Sequence, residues 1–433
     1  MKPEPRGHSW FAQELTGHLR GARMPAGAFP KAASVLVFAV LLISRLGQTR
    51  WGLPYLGEID EKPIVDAVRH IMTTGDYNPH FFNYGSVSVY LSLFSAIAAY
   101  LRGMSAGTIG SLGDFTSVSY DTLVLHSPDI VRWPRLLFAA LSTATLIPTY
   151  AIARKLRDHW AGLGAVLAMA FSQLAAYYAV RINVDALGTL FVAIAAWAAL
   201  VLLEDEQPEK WAALSGLAVG AATGSKYTLA LAGVLPVVAL LLRKGPVHRW
   251  RCGGLAFGAA ALVFLVTTPY AFLALPEFLR DAGAEAAHYG VRGHPGFEGT
   301  PGWSQLWFHI RFVLSPQGLG MLAGILAVAG MVLTLRARPR PAFVLAGFVA
   351  LFTLFISGQR VNFVRNLMPI YPVLAAFAGV AISWAGGELA RLLGGHLDRR
   401  TAELIAVAVT GIVLLTSLNV PLMMRTARHY RDY

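Results

Sequence analysis

Charged residues are scarce in this chain. They make up 14% of its 433 residues, where soluble domains carry roughly a quarter. Cysteine is scarcer still. The single Cys252 excludes an intrachain disulfide framework. There is no Walker A motif, no GxSxG and no CxxC, so the sequence gives no cue for a P-loop, a serine nucleophile elbow or a dithiol site. Short-period repeats, coiled-coil heptads and low-complexity tracts are also missing. So is a cleavable signal peptide. The first thirty residues are basic and polar, and the first apolar run, from about Ala32 to Leu46, lacks a small-residue cleavage site and reads as an anchor.

What the chain has instead is apolar length. Hydrophobic residues make up 55% of it, gathered in runs close to the 18–20 residues that cross a bilayer as helix. Spans are predicted at 32–49, 133–153, 160–180, 185–203, 211–227, 228–242, 252–272, 317–335, 341–357, 367–385 and 402–420, about eleven in all. The expected fold is an all-α polytopic membrane protein. One further run, Ser86 to Leu101, is apolar but short, about 16 residues, and either spans or lies in the interface.

The net charge of +12 excludes an acidic protein. A soluble protein so basic would suggest nucleic acid. Here the basic residues cluster between apolar runs, so topology and anionic lipid explain them and no nucleic-acid partner is expected. With the N-terminus in the cytoplasm and 86–101 not crossing, Arg154, Lys155 and Arg157 fall inside. So do Arg243, Lys244, Arg249 and Arg251, then Arg336, Arg338 and Arg340, then Arg391, Arg399 and Arg400. Letting 86–101 cross would flip all of these outside, against the positive-inside rule. The division expected is a cytoplasmic tail over 1–31 and a transmembrane domain over 32–433, in the plasma or inner membrane. Two large extracytoplasmic loops follow, 50–132 and 273–316, and the C-terminus ends outside. The stretch His288 to Trp303 is rich in glycine and proline, reads as a ligand-covering loop, and offers His294 as a candidate substrate contact.

The first outer loop opens with GEIDEKP, Gly57 to Pro63. Ile64, Val65, Val68, Ile71 and Met72 then recur at helical spacing, which predicts an amphipathic interfacial helix. Asp60 is placed to cap it, Pro63 suits its first turn and Gly75 ends it. Asp60 and Glu61 are therefore either a capped acidic helix start or candidate catalytic acids. Asp185, in RINVDALG, begins a long span on the same face, as a helix cap or a substrate contact. Lys226 sits between two apolar spans with almost no loop, and Arg360 and Arg365 lie where two spans turn. Each cation alone reads equally as a snorkelling anchor. Carboxylates facing cations at one membrane surface suit an anionic lipid-phosphate substrate: the cations hold the phosphate and a carboxylate remains as base. His80, His126, His288, His294 and His309 are all outer, but their spacings match no zinc pattern, and no metal site is expected from them. Gly216, Gly220 and Gly224 are expected to serve helix packing.

These residues resemble the GT-C superfamily of polyprenyl-phosphate-sugar glycosyltransferases, in particular its protein O-mannosyltransferase and lipid A aminoarabinose transferase branch. The likeness runs in order through Asp60-Glu61, GDYNPHFFNYGSVSVYL (Gly75 to Leu91, which includes Tyr84), the helix from Arg135 to Leu156, Asp185, GLAVGAATGSKY (Gly216 to Tyr227) and RNLMPIYPVLAAFAG (Arg365 to Gly379). The resemblance implies a catalytic acid at Asp60 with Glu61 beside it. It places substrate contacts at Asp185, Lys226, Arg365 and Tyr84, and Arg360 joins them by proximity. It implies an inverting transfer from a polyprenyl-phosphate-linked donor to an acceptor hydroxyl on lipid, glycan or protein, at the extracytoplasmic face. No cofactor is obligatory, and a divalent cation, Mg or Mn, is compatible with the carboxylates. A lipid-linked sugar transporter or flippase is the alternative. Two departures stand out. Gly85 replaces a proline common in relatives, and the soluble C-terminal domain many of them carry is expected to be absent.

Overall fold

A computed structural model describes residues 27–392 and positions 401, 404, 405 and 408. Most of the expected cytoplasmic tail and the expected last span, 402–420, lie outside those residues. The chain is a helical, multi-pass membrane protein. Its helices are α1 Ala28–Gln48, α2 Lys62–Thr74, α3 Val87–Ser105, α4 Asp129–Leu156, α5 His159–Ala170 and α6 Gln173–Ala179. They continue with α7 Val184–Leu202, α8 Pro208–Ser225, α9 Tyr227–Leu242, α10 Arg249–Thr267, α11 Leu275–Ala287 and α12 Trp303–Leu314. The last are α13 Met321–Ala337, α14 Pro339–Ser357 and α15 Val364–Leu389.

Among the described residues, seven helices are long and apolar enough to cross a membrane: α1, α3, α4, α7, α10, α14 and α15. The predicted span 160–180 is a broken pair, α5 and α6, bent by 69°. The break falls at Ser172, whose hydroxyl accepts the Ala175 N–H and starts a new helix. The apolar flanks of the outermost helices carry exposed Val35, Leu36, Val40 and Ile43 on α1 and Phe257, Leu262 and Val266 on α10. So large an exposed apolar surface fits lipid rather than water.

α7 and α15 form the centre; 78% and 89% of their spanning windows are buried. Around them the helices touch through small residues. A side chain at Gly216 or Gly220 would strike the backbone of Ala256 or Ala260 on α10, the close approach small residues allow in membranes.

The first loop is a folded layer of its own. Ile64, Val65, Val68 and Ile71 of α2 pack with Leu93 and Ala96 of α3, Phe115, and Ile130 and Phe138 of α4. The predicted amphipathic face of α2 is thus the buried one, and Gly75 ends the helix at φ 74. The cap differs from expectation. Glu61 is the N-cap residue and no side chain caps the end; Asp60 is drawn elsewhere. A two-stranded ribbon, Val118–Ser119 with Val124–Leu125, closes the layer against Tyr55.

Helix α3 is longer than the apolar run suggested, 19 residues, and by length and composition it qualifies as a span. Its two ends have informative neighbours. At one end the Ser86 N–H meets Thr268 Oγ1 at 3.3 Å, just past the end of α10. Beyond the other, Thr108 and Ile109 line a cavity of about 570 Å³ with Arg50, just past α1, and Asp129 at the start of α4.

Candidate active site

The two central helices bring the site together, because each carries a charged residue in its first turn. Asn183 caps α7 through its Oδ1, which accepts the Ala186 N–H at 2.9 Å. Asp185 is therefore not the cap and its carboxylate is free to turn inward. It is 1% exposed. Its Oδ1 accepts from Lys226 Nζ at 2.7 Å, and its Oδ2 lies 3.6 Å from Arg365 Nε. Lys226 stands where α8 ends in an extended residue before α9; it also donates to Asn366 Oδ1 at 2.7 Å. Arg365, at the start of α15, reaches on to Asp60, with Nη2 to Oδ1 at 3.1 Å. Its guanidinium carbon sits 4.0 Å from the centre of the Phe363 ring, a cation–π contact. Lys226, Asp185, Arg365 and Asp60 thus form one chain of alternating charge.

The chain grades from closed to open. The side chains of Asp185 and Lys226 are 1% and 7% exposed, and that of Asp60 is 21% exposed. Burial raises the Asp60 carboxyl above the usual aspartate range; Arg365 opposes that rise, and Asp185 and Glu58 add to it. Tyr84 borders the group. Its phenol is raised first by burial and then by Tyr289, with Arg365 and Lys226 pulling the other way. Its backbone carbonyl accepts from Tyr227 Oη at 2.8 Å, which ties the loop to α9. The Tyr289 ring centre lies 5.7 Å from Lys226 Nζ.

The other candidates fall elsewhere. Glu61 is 0% exposed. Arg135 grips it through Nε and Nη2, at 2.9 and 2.6 Å, and the Ile182 N–H donates to it at 2.8 Å. Arg135 also donates to the Thr49 and Trp51 carbonyls. This buried pair fastens the end of the first span to α4 and to the approach to α7. Arg360 is exposed and donates to the Val291 carbonyl at 2.9 Å, holding the 288–303 loop. His294 packs on Phe363, centroids 5.0 Å apart, with its Nδ1 3.1 Å from His288 Nε2. It reaches the cluster at one remove, through Phe363 and through His288 and Tyr289.

Sequence reasoning missed several partners. Glu58 accepts from Arg181 Nε at 2.7 Å, and Arg181 stacks on Tyr177 and Trp51. Both stand inside motifs that carry a candidate, GEIDE and RINVD. Arg135 had one cue, an arginine in an otherwise apolar helix. Asn366 had none.

Residues 123–272 match the sequence profile of the dolichyl-phosphate-mannose-protein mannosyltransferase family. No curated protein sequence matches. Among solved structures, ArnT from Cupriavidus metallidurans in its apo state superposes with a TM-score of 0.57 at 18% identity, covering 90% of this chain and 72% of that one. This chain has the GT-C glycosyltransferase fold. ArnT bound to undecaprenyl phosphate superposes with a TM-score of 0.55 at 17% identity, over the same 90% and 72%. The apo oligosaccharyltransferase of Archaeoglobus fulgidus gives 0.54 at 14% identity, covering 95% of this chain and 57% of that one.

Proposed function

We propose that this chain is a GT-C glycosyltransferase that moves a sugar from a polyprenyl-phosphate-linked donor to an acceptor hydroxyl, inverting the anomeric centre, at the extracytoplasmic membrane face. One observation carries the reading: Asp60, the most open member of the cluster, touches Arg365, which also faces the buried Asp185. Asp60 takes the acceptor's proton as the hydroxyl attacks from the side opposite the phosphate. A single displacement inverts the configuration without a covalent sugar-enzyme intermediate. Arg365 stabilises the departing phosphate. Lys226 acts one step back, holding Asp185 so that Asp185 can orient Arg365. Tyr84 closes one side of the site. Glu61 is a positioning residue, since Arg135 and the Ile182 N–H occupy its carboxylate. The reading needs no Mg or Mn, because Asp60 and Asp185 already pair with cations.

Several features support the outer location. Asp185 opens α7, and at the other end of that helix the Leu202 carbonyl accepts from Arg243, in the second of the basic loops. The ends of α3 meet Thr268 and the Arg50–Asp129 cavity, all at the end of the bundle away from those loops. That favours a helix lying within the outer layer over one that crosses. The undecaprenyl phosphate bound to ArnT supports a lipid phosphate as donor carrier.

The test is transfer by purified protein in detergent. A polyprenyl-phosphate-linked sugar is offered with envelope lipids, glycans and proteins, and products are read by mass spectrometry and anomeric NMR. The expected product carries the sugar in inverted configuration. A preparation that yields no product in detergent, yet moves the lipid-linked sugar across vesicles, would establish a transporter instead.

A further inference from the structure

His70, Asp76 and His80 meet in the outer layer without joining the Asp60 cluster. Each offers one ligand atom, and these atoms lie within 4.8 Å of one another. The chain reaches this arrangement by a tight reversal. His70 lies in the last turn of α2, Gly75 turns the backbone at φ 74, and the His80 ring comes back edge-on to His70 with centroids 5.2 Å apart. The outer histidines whose spacings match no zinc pattern include His80 but not His70; the turn brings the two rings together.

The hydrogen bonds point to a cation. His80 Nδ1 lies 2.8 Å from Glu277 Oε2 on α11. An imidazole that donates there keeps its lone pair on Nε2, and Nε2 faces Asp76 Oδ2 at 3.1 Å. In that neutral tautomer these are two acceptors pointed at each other. Two ligands of a tetrahedral zinc, with bonds of about 2.0 Å, stand roughly 3.3 Å apart, so the observed spacing nearly fits a shared ion. His70 Nε2 is buried and has no hydrogen-bond partner, which a buried polar atom rarely tolerates. Glu277 occupies the place of the outer carboxylate that orients a ligating histidine. Asn78 contacts both groups; its Oδ1 accepts the backbone N–H of His80 at 3.2 Å, and its Nδ2 lies 3.2 Å from His80 Nδ1 and 3.4 Å from Glu277 Oε2.

We propose that His70, Asp76 and His80 bind a zinc-class divalent cation, with Glu277 orienting His80. Two imidazoles and one carboxylate suit zinc better than magnesium, which prefers oxygen ligands throughout. The site is structural. It pins the loop 75–85, which carries Tyr84 beside the cluster, to α2 and through Glu277 to α11. The competing account is an imidazolium at His80 bonded to both carboxylates with no metal.

Purified full-length protein, stripped with chelator in detergent, is titrated with Co²⁺ and then Zn²⁺. The proposal expects one Co²⁺ per chain, the visible absorption of a four-coordinate nitrogen–oxygen site, and displacement by Zn²⁺ but not Mg²⁺. Glu277→Gln should weaken binding about 10–100-fold, and His70→Ala with His80→Ala should abolish it. Wild-type protein that takes up neither ion, or a double variant that binds as well as wild type, overturns the site. A second readout needs no variant: zinc should slow hydrogen exchange over residues 75–85 in the wild-type chain, and exchange that ignores zinc also overturns it.

Discussion

Asp60 and Glu61 are adjacent acids with opposite surroundings. Glu61 is sealed: its carboxylate accepts three hydrogen bonds from two nitrogens of Arg135 and one from a backbone N–H, and no water reaches it. Asp60 is one-fifth exposed and has a single charged contact within ion-pair distance, Arg365. The difference separates two uses of a carboxylate. A buried ion pair with its hydrogen-bonding positions filled holds segments in register but has nothing left to offer a substrate. A half-open acid beside one cation keeps both a lone pair and a path to solvent, which a general base requires.

Breaking that contrast starts with Asp60. Asp60→Asn should lower kcat about 10²–10⁴-fold, the usual worth of a general base, while thermal unfolding in detergent stays near wild type. A variant that is folded and fully active would remove Asp60 from the chemistry. Glu61→Ala should do the reverse. It strands Arg135 among the carbonyls of Thr49 and Trp51, and should destabilise by about 3–5 kcal/mol, read as a lower unfolding temperature. If the Asp60 variant proves the less stable of the two, the assignments are exchanged.

The pH profile sharpens the same point. Burial raises the Asp60 carboxyl, and a base works only when ionised. Transfer should therefore fall on acidification at a higher pH than an ordinary aspartate would dictate. An acid limb of kcat/KM at or below the usual aspartate value would point to a different base. Gly85→Ala tests the loop that carries Tyr84. Its Cβ would run into the Gly224 backbone, so a loss of about 1–3 kcal/mol is expected from overpacking, measured by unfolding. That contact also explains why this chain keeps glycine at 85. The smallest effect belongs to Arg360→Ala. It removes one exposed bond to the Val291 carbonyl, worth about 1 kcal/mol, and donor KM should hardly move. A large rise in KM would return Arg360 to the phosphate site.

Much of the fold could be read from hydropathy, because lipid contact demands apolar length wherever a helix crosses. α1, α4, α7, α10, α14 and α15 all appear close to their predicted runs. Hydropathy carries no direction, however. It could not show the break at Ser172, which depends on one hydroxyl, nor decide between a crossing and a lying helix at α3, which depends on what its ends touch. The site was legible as a set of charges on one face, and Asp60, Asp185, Lys226 and Arg365 do meet. Which partner each takes was not legible. Arg135 finds Glu61 across 74 residues and His80 finds Glu277 across 197, and spacing along the chain says nothing about pairs so far apart.

The alternating chain of two acids and two cations is formally neutral. In the proposed reaction a lipid-linked sugar phosphate arrives as a monoanion, and the bare lipid phosphate departs nearer a dianion. That second negative charge appears as Asp60 gives up its own by accepting the acceptor's proton. The sum of charge at the membrane surface is then the same at the start and the end of the turnover. Arg365 changes clients as this happens, losing an anionic aspartate on one side while a more anionic phosphate grows on the other. Resetting the enzyme comes down to one proton leaving Asp60 and one lipid phosphate leaving Arg365, and each departure makes the other easier.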